Sequence, residues 1–433
     1  MPFVPTEVVE VRAWGRTVGA LATGQRSRAY EFEYAPEWRA TGLELSPLHL
    51  PVSKRGAQRF PGLNPDTWHG LPPAIADSLP DRFGNAIIDA EFARRGARPD
   101  EATPLDRLVY TGSRAMGALE FVPDTGPSDA SPTTLMVGDL VDVARDVLAG
   151  TLGDDESETR VALQQILAIG TSAGGARAKA VVNLHPETRE LRPGQKPIPG
   201  YESWLLKFDG VGRDRDLGTS GGYGRIEHAY ALMAKAAGIV MTETRLLEEN
   251  GRAHFMTRRF DRPLDGSRLH TQTLCALGVV DYNQIGTNDY AQLFQVIESL
   301  GLGQDARDQA FRRLVFNWMA ANCDDHSKNH SFLMSPDGTW TLSPAYDVTH
   351  AHDDASRWTS AHLMGVNGRF RDIGRRELVD FAAAQRVKDA AGIIIDVATA
   401  LRGWPGHAAA AGMQERSAEE VAADFLIGPL TRK

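Results

Sequence analysis

The 433-residue sequence predicts an α+β protein: a mixed α/β N-terminal region with a β-rich first module, then a mostly α-helical C-terminal lobe. Three observations carry that expectation. Short alternating runs between turn signals fill roughly the first 125 residues, as half-buried strands do. A Gly/Pro/Ser-rich linker, "GALEFVPDTGPSDASP", closes this module. Beyond Asp261 the apolar residues recur at helical spacing, in Ala-rich segments such as "RRELVDFAAAQRVKDAAGIIIDVATAL".

In chain order, "VVEVRAW-GRT-VGALAT" reads as a strand pair around a tight turn and "YEFEYA" as a third strand. After the linker, "TTLMVGDLVDVARDVLAG" and "RVALQQILA" read as helices separated by the acidic loop "DDESET". From Gly170 the texture changes. "GTSAGGARAK" is a small-residue loop, "AVVNL" a strand, and "HPETRELRPGQKPIPG" a long turn-rich connection. "SWLLKF" is a strand, "RIEHAYALMAKAAG" a helix ending at the C′ glycine Gly238, and "HFMTRRF" a further strand. The helical remainder is interrupted by one hairpin, "HSFLM-SPDG-TWTLSPAYDV", around a Pro-Asp-Gly turn. At roughly 150 residues per domain the length suggests about three folding units. The texture divides them as 1–128, 129–260 and 261–433.

A hydrophobic fraction of 42% supports a large core, and a net charge of -9 argues against the chain itself clamping nucleic acid. Cys275 and Cys323 stand in no metal spacing, which fits a reducing cytosol. "MPFVPTEVVEVRAW" lacks the basic-then-apolar pattern of a secretory signal, and no run of about 18 apolar residues spans a bilayer. These features point to a cytoplasmic protein without a membrane partner.

Two chemistries compete. Gly170-Thr171-Ser172-Ala173-Gly174 matches the G-x-S-x-G elbow of α/β-hydrolases, with Asp347 and His350 or His352 to complete a triad. The elbow needs a strand before the serine and a helix after it, and here that order is reversed. No Walker A motif occurs. The glycines of this loop can instead expose backbone N–H groups to phosphate.

Lys207 sits among Leu205, Leu206 and Phe208, where a charge needs a partner or ligand. Glu227 lies on the inward stripe with Tyr230, Ala234 and Ala237, and reads either as the partner of Lys207 or as a solvated first-turn acid. A strand lysine and a helix glutamate orient nucleotide phosphates in protein kinases. "NCDDHSKNHSF" then supplies Asp324 and Asn329 at the D-x-x-x-x-N spacing of a catalytic base and a metal ligand, and "AYDVT" supplies Asp347 as a second metal ligand. Asn329 and Asp347 make a half-site for Mg²⁺. His326 is expected to hydrogen-bond within the loop or to phosphate. Asp325 reads as a helix-end acid, and Lys328 as solvated or as an offset to the local negative charge. A zinc role for His326 and His330 lacks any supporting ligand pattern.

These segments, with "VGAL", "YEFEYAPEW", "SLPDRFGNAIID", "GGARAKAVV", "WLLKFDG", "EHAYALMAKAAGI", "TRRFDR" and "LSPAYDV", resemble the HipA family. That family comprises serine/threonine kinase toxins of bacterial toxin–antitoxin systems. The D-x-H-x-x-N core is also similar to that of phosphoinositide-type lipid kinases. The resemblance runs nearly end to end and implies a two-lobed kinase-like fold using ATP and Mg²⁺. It implies Asp324 as base with His326 beside it, Asn329 and Asp347 as metal ligands, and Lys207 as the phosphate-binding lysine. Gly174, Gly175, Lys179 and Glu227 join the nucleotide site, and the backbone at Arg258 and Phe260 meets adenine. Ser172 matches a serine autophosphorylated in self-inactivation, where about −1.5 to −2 charges would expel the loop. Arg177 departs from the glutamine common at its position. The resemblance further implies growth arrest and persistence through a translation-related target such as an aminoacyl-tRNA synthetase. It implies a small DNA-binding, HipB-like antitoxin as partner, with DNA reached only through it. A small-molecule or lipid kinase, or an inactive corepressor scaffold, are the alternatives.

Overall fold

The computed structural model describes residues 4–24, 30–98, 101–126, 177–194, 197–209 and 222–431. The two helices expected between the linker and Gly170, and most of the glycine-rich loop, lie outside these residues. The chain divides into two compact units. One comprises Met1–Gly212, Arg258–Gln272 and Leu333–Thr339; the other comprises Arg213–Thr257, Thr273–Phe332 and Trp340–Lys433.

The first unit opens with a four-stranded antiparallel sheet of β1 (Val8–Ala13), β2 (Arg16–Thr23), β3 (Tyr30–Tyr34) and β4 (Leu119–Val122), in the order β3-β2-β1-β4. The β1–β2 turn places Trp14 at φ 50° and Gly15 at φ 72°, the double left-handed geometry whose twist suits a two-residue hairpin. Alternation buries Val9, Val11, Ala13, Leu21, Phe32 and Tyr34 on one face. Gly19 permits the close approach of β3, since a Cβ there would stand 2.2 Å from Glu33 O. Two helices follow. Arg82–Arg94 is capped by Asp81, which accepts from Gly84 N at 2.7 Å, and Pro104–Thr111 by a Thr103/Asp106 capping box.

The same unit carries β5 (Lys179–Leu184), β6 (Leu191–Pro193) and β7 (Glu202–Lys207), antiparallel in the order β6-β5-β7. Every residue of β5 is buried. The strand β6 corrects the sequence reading, which made this stretch a featureless connection. Its single buried apolar side chain, Leu191, gives no periodicity to detect, and pairing with Leu184 supplies the order instead.

The second unit contains the antiparallel hairpin of β8 (Thr244–Glu249) and β9 (Arg252–Arg258). The sequence reading found β9 and missed β8, although Asn250-Gly251, at φ 44° and 76°, is a strong hairpin signal. The helix Tyr223–Ala236 packs close to this hairpin: a Cβ on Gly224 would lie 1.9 Å from Ala253 O. This helix ends as expected, with Gly238 at φ 78°. Most of the remainder is helical, including Tyr290–Ser299, Gln304–Met319, Arg375–Ala384 and Ala390–Arg402, with short strands such as Trp340–Leu342 between. Tyr230 anchors the core here. It packs edge-on against Phe316, Trp404 and Phe425, and its hydroxyl donates to Ala320 O at 2.6 Å. That bond satisfies a carbonyl at the end of Gln304–Met319, where the polar loop begins.

Candidate active site

The loop Asn322–Phe332 leaves the helix Gln304–Met319 through a left-handed residue, Ala321 at φ 50°. Asn322 N donates back to Asn317 O at 2.9 Å, a helix-terminating bond that reverses the chain. Cys323 N to Ala351 O at 3.0 Å and Ala351 N to Ala321 O at 3.2 Å then hold the loop against a neighbouring segment. A short 3-10 turn over Ser327–Asn329 brings Asn329 back, and its Nδ2 donates to Asp324 O at 2.8 Å. The five-residue spacing is therefore a closed ring, in which the Asn329 amide nitrogen is used and its oxygen is left over.

Asp324 keeps 28% of its side-chain exposure. Its Oδ1 accepts from Trp358 Nε1 at 2.6 Å, and among the described residues no hydrogen bond reaches its Oδ2. Burial, with the charge of Asp347, pushes the Asp324 carboxyl up, against the opposing pull of His326 and the Trp358 hydrogen bond. A carboxylate raised in this way is a better proton acceptor. His326 stands with Nε2 3.6 Å from Asp324 Oδ1, too far for a hydrogen bond, and its buried Nδ1 has no partner. The hydrogen bond expected within the loop is thus not formed. The ring packs between Tyr282 and Trp358. Lys328 lies over the Tyr282 ring, 4.7 Å from its centroid.

Asp325 corrects the sequence reading more sharply. It is not a solvated helix-end acid but a fully buried hub. It accepts from Tyr290 OH at 2.8 Å, Leu363 N at 2.8 Å, Met364 N at 3.3 Å and His362 Nδ1 at 2.9 Å. Against the pull of burial, Asp325 pushes the His362 imidazole up to about 10, which favours its charged form. His362 also stacks on Trp318 at 4.1 Å, tying the hub to the helix that feeds the loop. His330 is different: burial and nearby Arg313 push it down to about 4, and it packs edge-on against Tyr290. Among the described residues no group of three or more His, Cys, Asp or Glu side chains is gathered for a metal.

Asp347 has φ 54°, a left-handed conformation that a non-glycine residue holds at some cost and that concentrates at functional sites. Asn329 and Asp347 line one pocket, with Asn322, Asp325, Arg313 and His330 behind them. The Asn329 amide oxygen and the Asp347 carboxylate are hard oxygen donors, too few for a caged ion. They fit Mg²⁺, which takes one or two protein ligands together with phosphate oxygens and water.

In the first unit, Lys207 is 8% exposed and directly opposite Lys179 in the β5–β7 register. Two facing lysines would repel, but Lys179 Nζ lies 2.9 Å from Asp81, and both side chains are 3% exposed. The structure thus places Lys179 in an ion pair with the cap of Arg82–Arg94. Glu227, in the second unit, is 1% exposed, which removes its reading as a solvated acid. Arg258 lies 3.7 Å from Glu202, and Arg259 N donates to Ser203 O at 2.9 Å, fixing the start of "RRFDR" to β7. Phe260 is half-buried. Ser172, Gly174 and Gly175 lie outside the described residues, but the strand expected after their loop is present as β5.

The family model described as the HipA-like C-terminal domain matches residues 171–405, and that of the HipA N-terminal domain matches residues 9–122. Among solved structures, the fold is similar to a HipA from Shewanella oneidensis MR-1, in a complex with HipB and operator DNA. That match has a TM-score of 0.64 at 17% identity, covering 96% of this chain and 94% of that one. A Helicobacter pylori proinflammatory kinase, CtkA, matches with a TM-score of 0.36 at 12% identity, over 52% of this chain and 85% of that one.

Proposed function

The chain belongs to the HipA family, and from that premise we propose that it is a Mg²⁺- and ATP-dependent serine/threonine protein kinase, the toxin of a toxin–antitoxin pair. One observation carries the reading most. Asp324 has one carboxylate oxygen held by Trp358, beside a pocket lined by Asn329, whose amide nitrogen is turned to Asp324 O, and by Asp347. Oδ2 of Asp324 accepts the proton of an acceptor hydroxyl as that oxygen bonds to the γ-phosphorus, while the bond from the γ-phosphorus to the β–γ bridging oxygen breaks and ADP leaves. Asn329 and Asp347 would hold the metal, which would offset charge on the phosphate oxygens. Lys207 and the loop containing Gly174 and Gly175 bind the phosphates, and the backbone at Arg258 and Phe260 meets adenine. Ser172 receives phosphate in self-inactivation, because added negative charge repels the phosphates that its loop cradles.

The partner is a small HipB-like DNA-binding protein, and the target a translation-related protein such as an aminoacyl-tRNA synthetase. A net charge of -9 suits a chain that reaches DNA only through such a partner. The buried free thiols of Cys275 and Cys323 suit a cytoplasmic setting. No described helix is long and apolar enough to cross a membrane.

Calorimetric titration with Mg·ATP tests the site: Lys207→Ala and Asp347→Asn should both weaken binding, the latter chiefly in its Mg²⁺ dependence. Unchanged affinity in both variants would remove the nucleotide from this site. Phosphoproteomics after brief expression of wild type beside Asp324→Ala would identify the target. Mass spectrometry should find phosphate on the Ser172 peptide of wild type only.

A further inference from the structure

We propose that Trp358 is a positioning residue for the base, orienting the Asp324 carboxylate so that a single oxygen faces the acceptor hydroxyl. The inference deepens the kinase reading and rests on it. A free aspartate rotates about its Cβ–Cγ bond and offers its two oxygens interchangeably. Here the indole N–H donates to Oδ1 at 2.6 Å, a charge-assisted bond that fixes the plane of the carboxylate. His326 sits on the same Oδ1 side, at 3.6 Å. Among the described residues no hydrogen bond reaches Oδ2, on a side chain that keeps 28% exposure.

The indole is itself held on both sides. Its ring meets Tyr282 edge-on at 6.4 Å and His326 at 6.1 Å, and these two meet each other at 5.7 Å. The three rings form an apolar wall on the Oδ1 side of the carboxylate. The loop presenting Trp358 is pinned by its own polar residues. Ala355 N donates to Asp353 Oδ1 at 2.8 Å, and Trp358 N and Thr359 N both donate to Ser356 Oγ at 3.1 Å. These short-range turns set the backbone of Trp358 without help from a ligand. A tryptophan needed only for packing would not require its nitrogen to end on the one catalytic carboxylate.

The test separates the N–H from the ring. Full-length protein carrying Trp358→Phe, and protein with Trp358 replaced by β-(3-benzothienyl)alanine, which keeps the bicyclic shape but lacks the donor, are compared with wild type. The readout is phosphoryl transfer from Mg·[γ-³²P]ATP to protein across a range of nucleotide concentrations. Loss of one charge-assisted hydrogen bond predicts a maximal rate lower by about 10–100-fold in both variants. The half-saturating Mg·ATP concentration and the thermal midpoint should stay at wild-type values. A benzothienyl variant with the wild-type rate would overturn the proposal, because the ring alone would then suffice. So would a loss carried entirely by the half-saturating concentration. If Trp358→Phe does not fold, the isosteric variant alone decides. Asp324→Ala, run in parallel, isolates the underlying reading: transfer retained in that variant dismisses the base itself, whatever Trp358 does.

Discussion

Segments 258–262 and 324–330 are each built around a fully buried aspartate, and they differ in what neutralises it. Asp261 is held by permanent charges: Arg259 Nη2 and Arg262 Nη1 both lie 2.7 Å from its Oδ2, and Gly117 N donates to it at 2.7 Å. Burial alone would raise this carboxyl, but the two guanidiniums keep it well below the usual carboxylate range. Arg262 also donates to Ala115 O and Gly117 O, so the cluster bolts segment 258–262 to the turn before β4. Asp325 is instead held by a tyrosine, two backbone amides and a histidine whose charge can be lost. Its chain neighbour Asp324 keeps a free oxygen. Saturated valences suit a scaffold, and the less saturated Asp324 beside a braced hub is where the proposed chemistry is assigned.

Breaking the first hub should cost most. Asp261→Asn leaves two buried guanidiniums uncompensated and should destabilise the protein by about 3–5 kcal/mol in urea unfolding. Asp325→Asn should cost less, about 1.5–3 kcal/mol, because His362 can shed its proton once its partner is gone. If the two variants lose equal stability, the distinction between permanent and titratable counter-charge is wrong.

The comparison sharpens with pH. His362 has a pKa raised above its ordinary value, so its contribution is fully present below about pH 6.5 and is lost as pH climbs through about 10. Asp261 has a lowered pKa, so its contribution is present above the ordinary carboxylate range and is lost only in strong acid. Wild type should therefore lose stability on the alkaline side relative to His362→Gln, measured as the difference in thermal midpoint from pH 6 to 10. Parallel pH curves would rule out a charged His362 held by Asp325. The smallest effect is expected from Tyr290→Phe, about 1 kcal/mol, because one hydrogen bond to Asp325 and one from Asn317 disappear while the ring still packs.

What the sequence disclosed follows the range of the interactions. Asp324 and Asn329 were legible because their contact closes over five residues, and β1 to β3 because alternation is local. The supports of the site were not. Trp358 is 34 residues from Asp324, and Tyr290 and His362 are 35 and 37 from Asp325, with no spacing to announce them. Asp325 itself was misread because a second aspartate in a polar loop has the same local signature whether buried or solvated. The resemblance put Lys179 in the nucleotide site, and its ion pair with Asp81 in the earlier module has no local signal in the sequence. The strand β8 was recoverable from Asn250-Gly251; β6, with one buried apolar residue, was not.

The central claim is that the free oxygen of Asp324 is the proton acceptor in phosphoryl transfer. Purified wild type and Asp324→Ala, incubated with Mg·[γ-³²P]ATP, test it directly. The variant should fold with an unchanged thermal midpoint and still bind Mg·ATP. Its transfer rate should fall by about 10²–10⁴-fold, the usual contribution of a positioned base. A folded, nucleotide-binding Asp324→Ala protein that transfers phosphate at the wild-type rate would contradict the account.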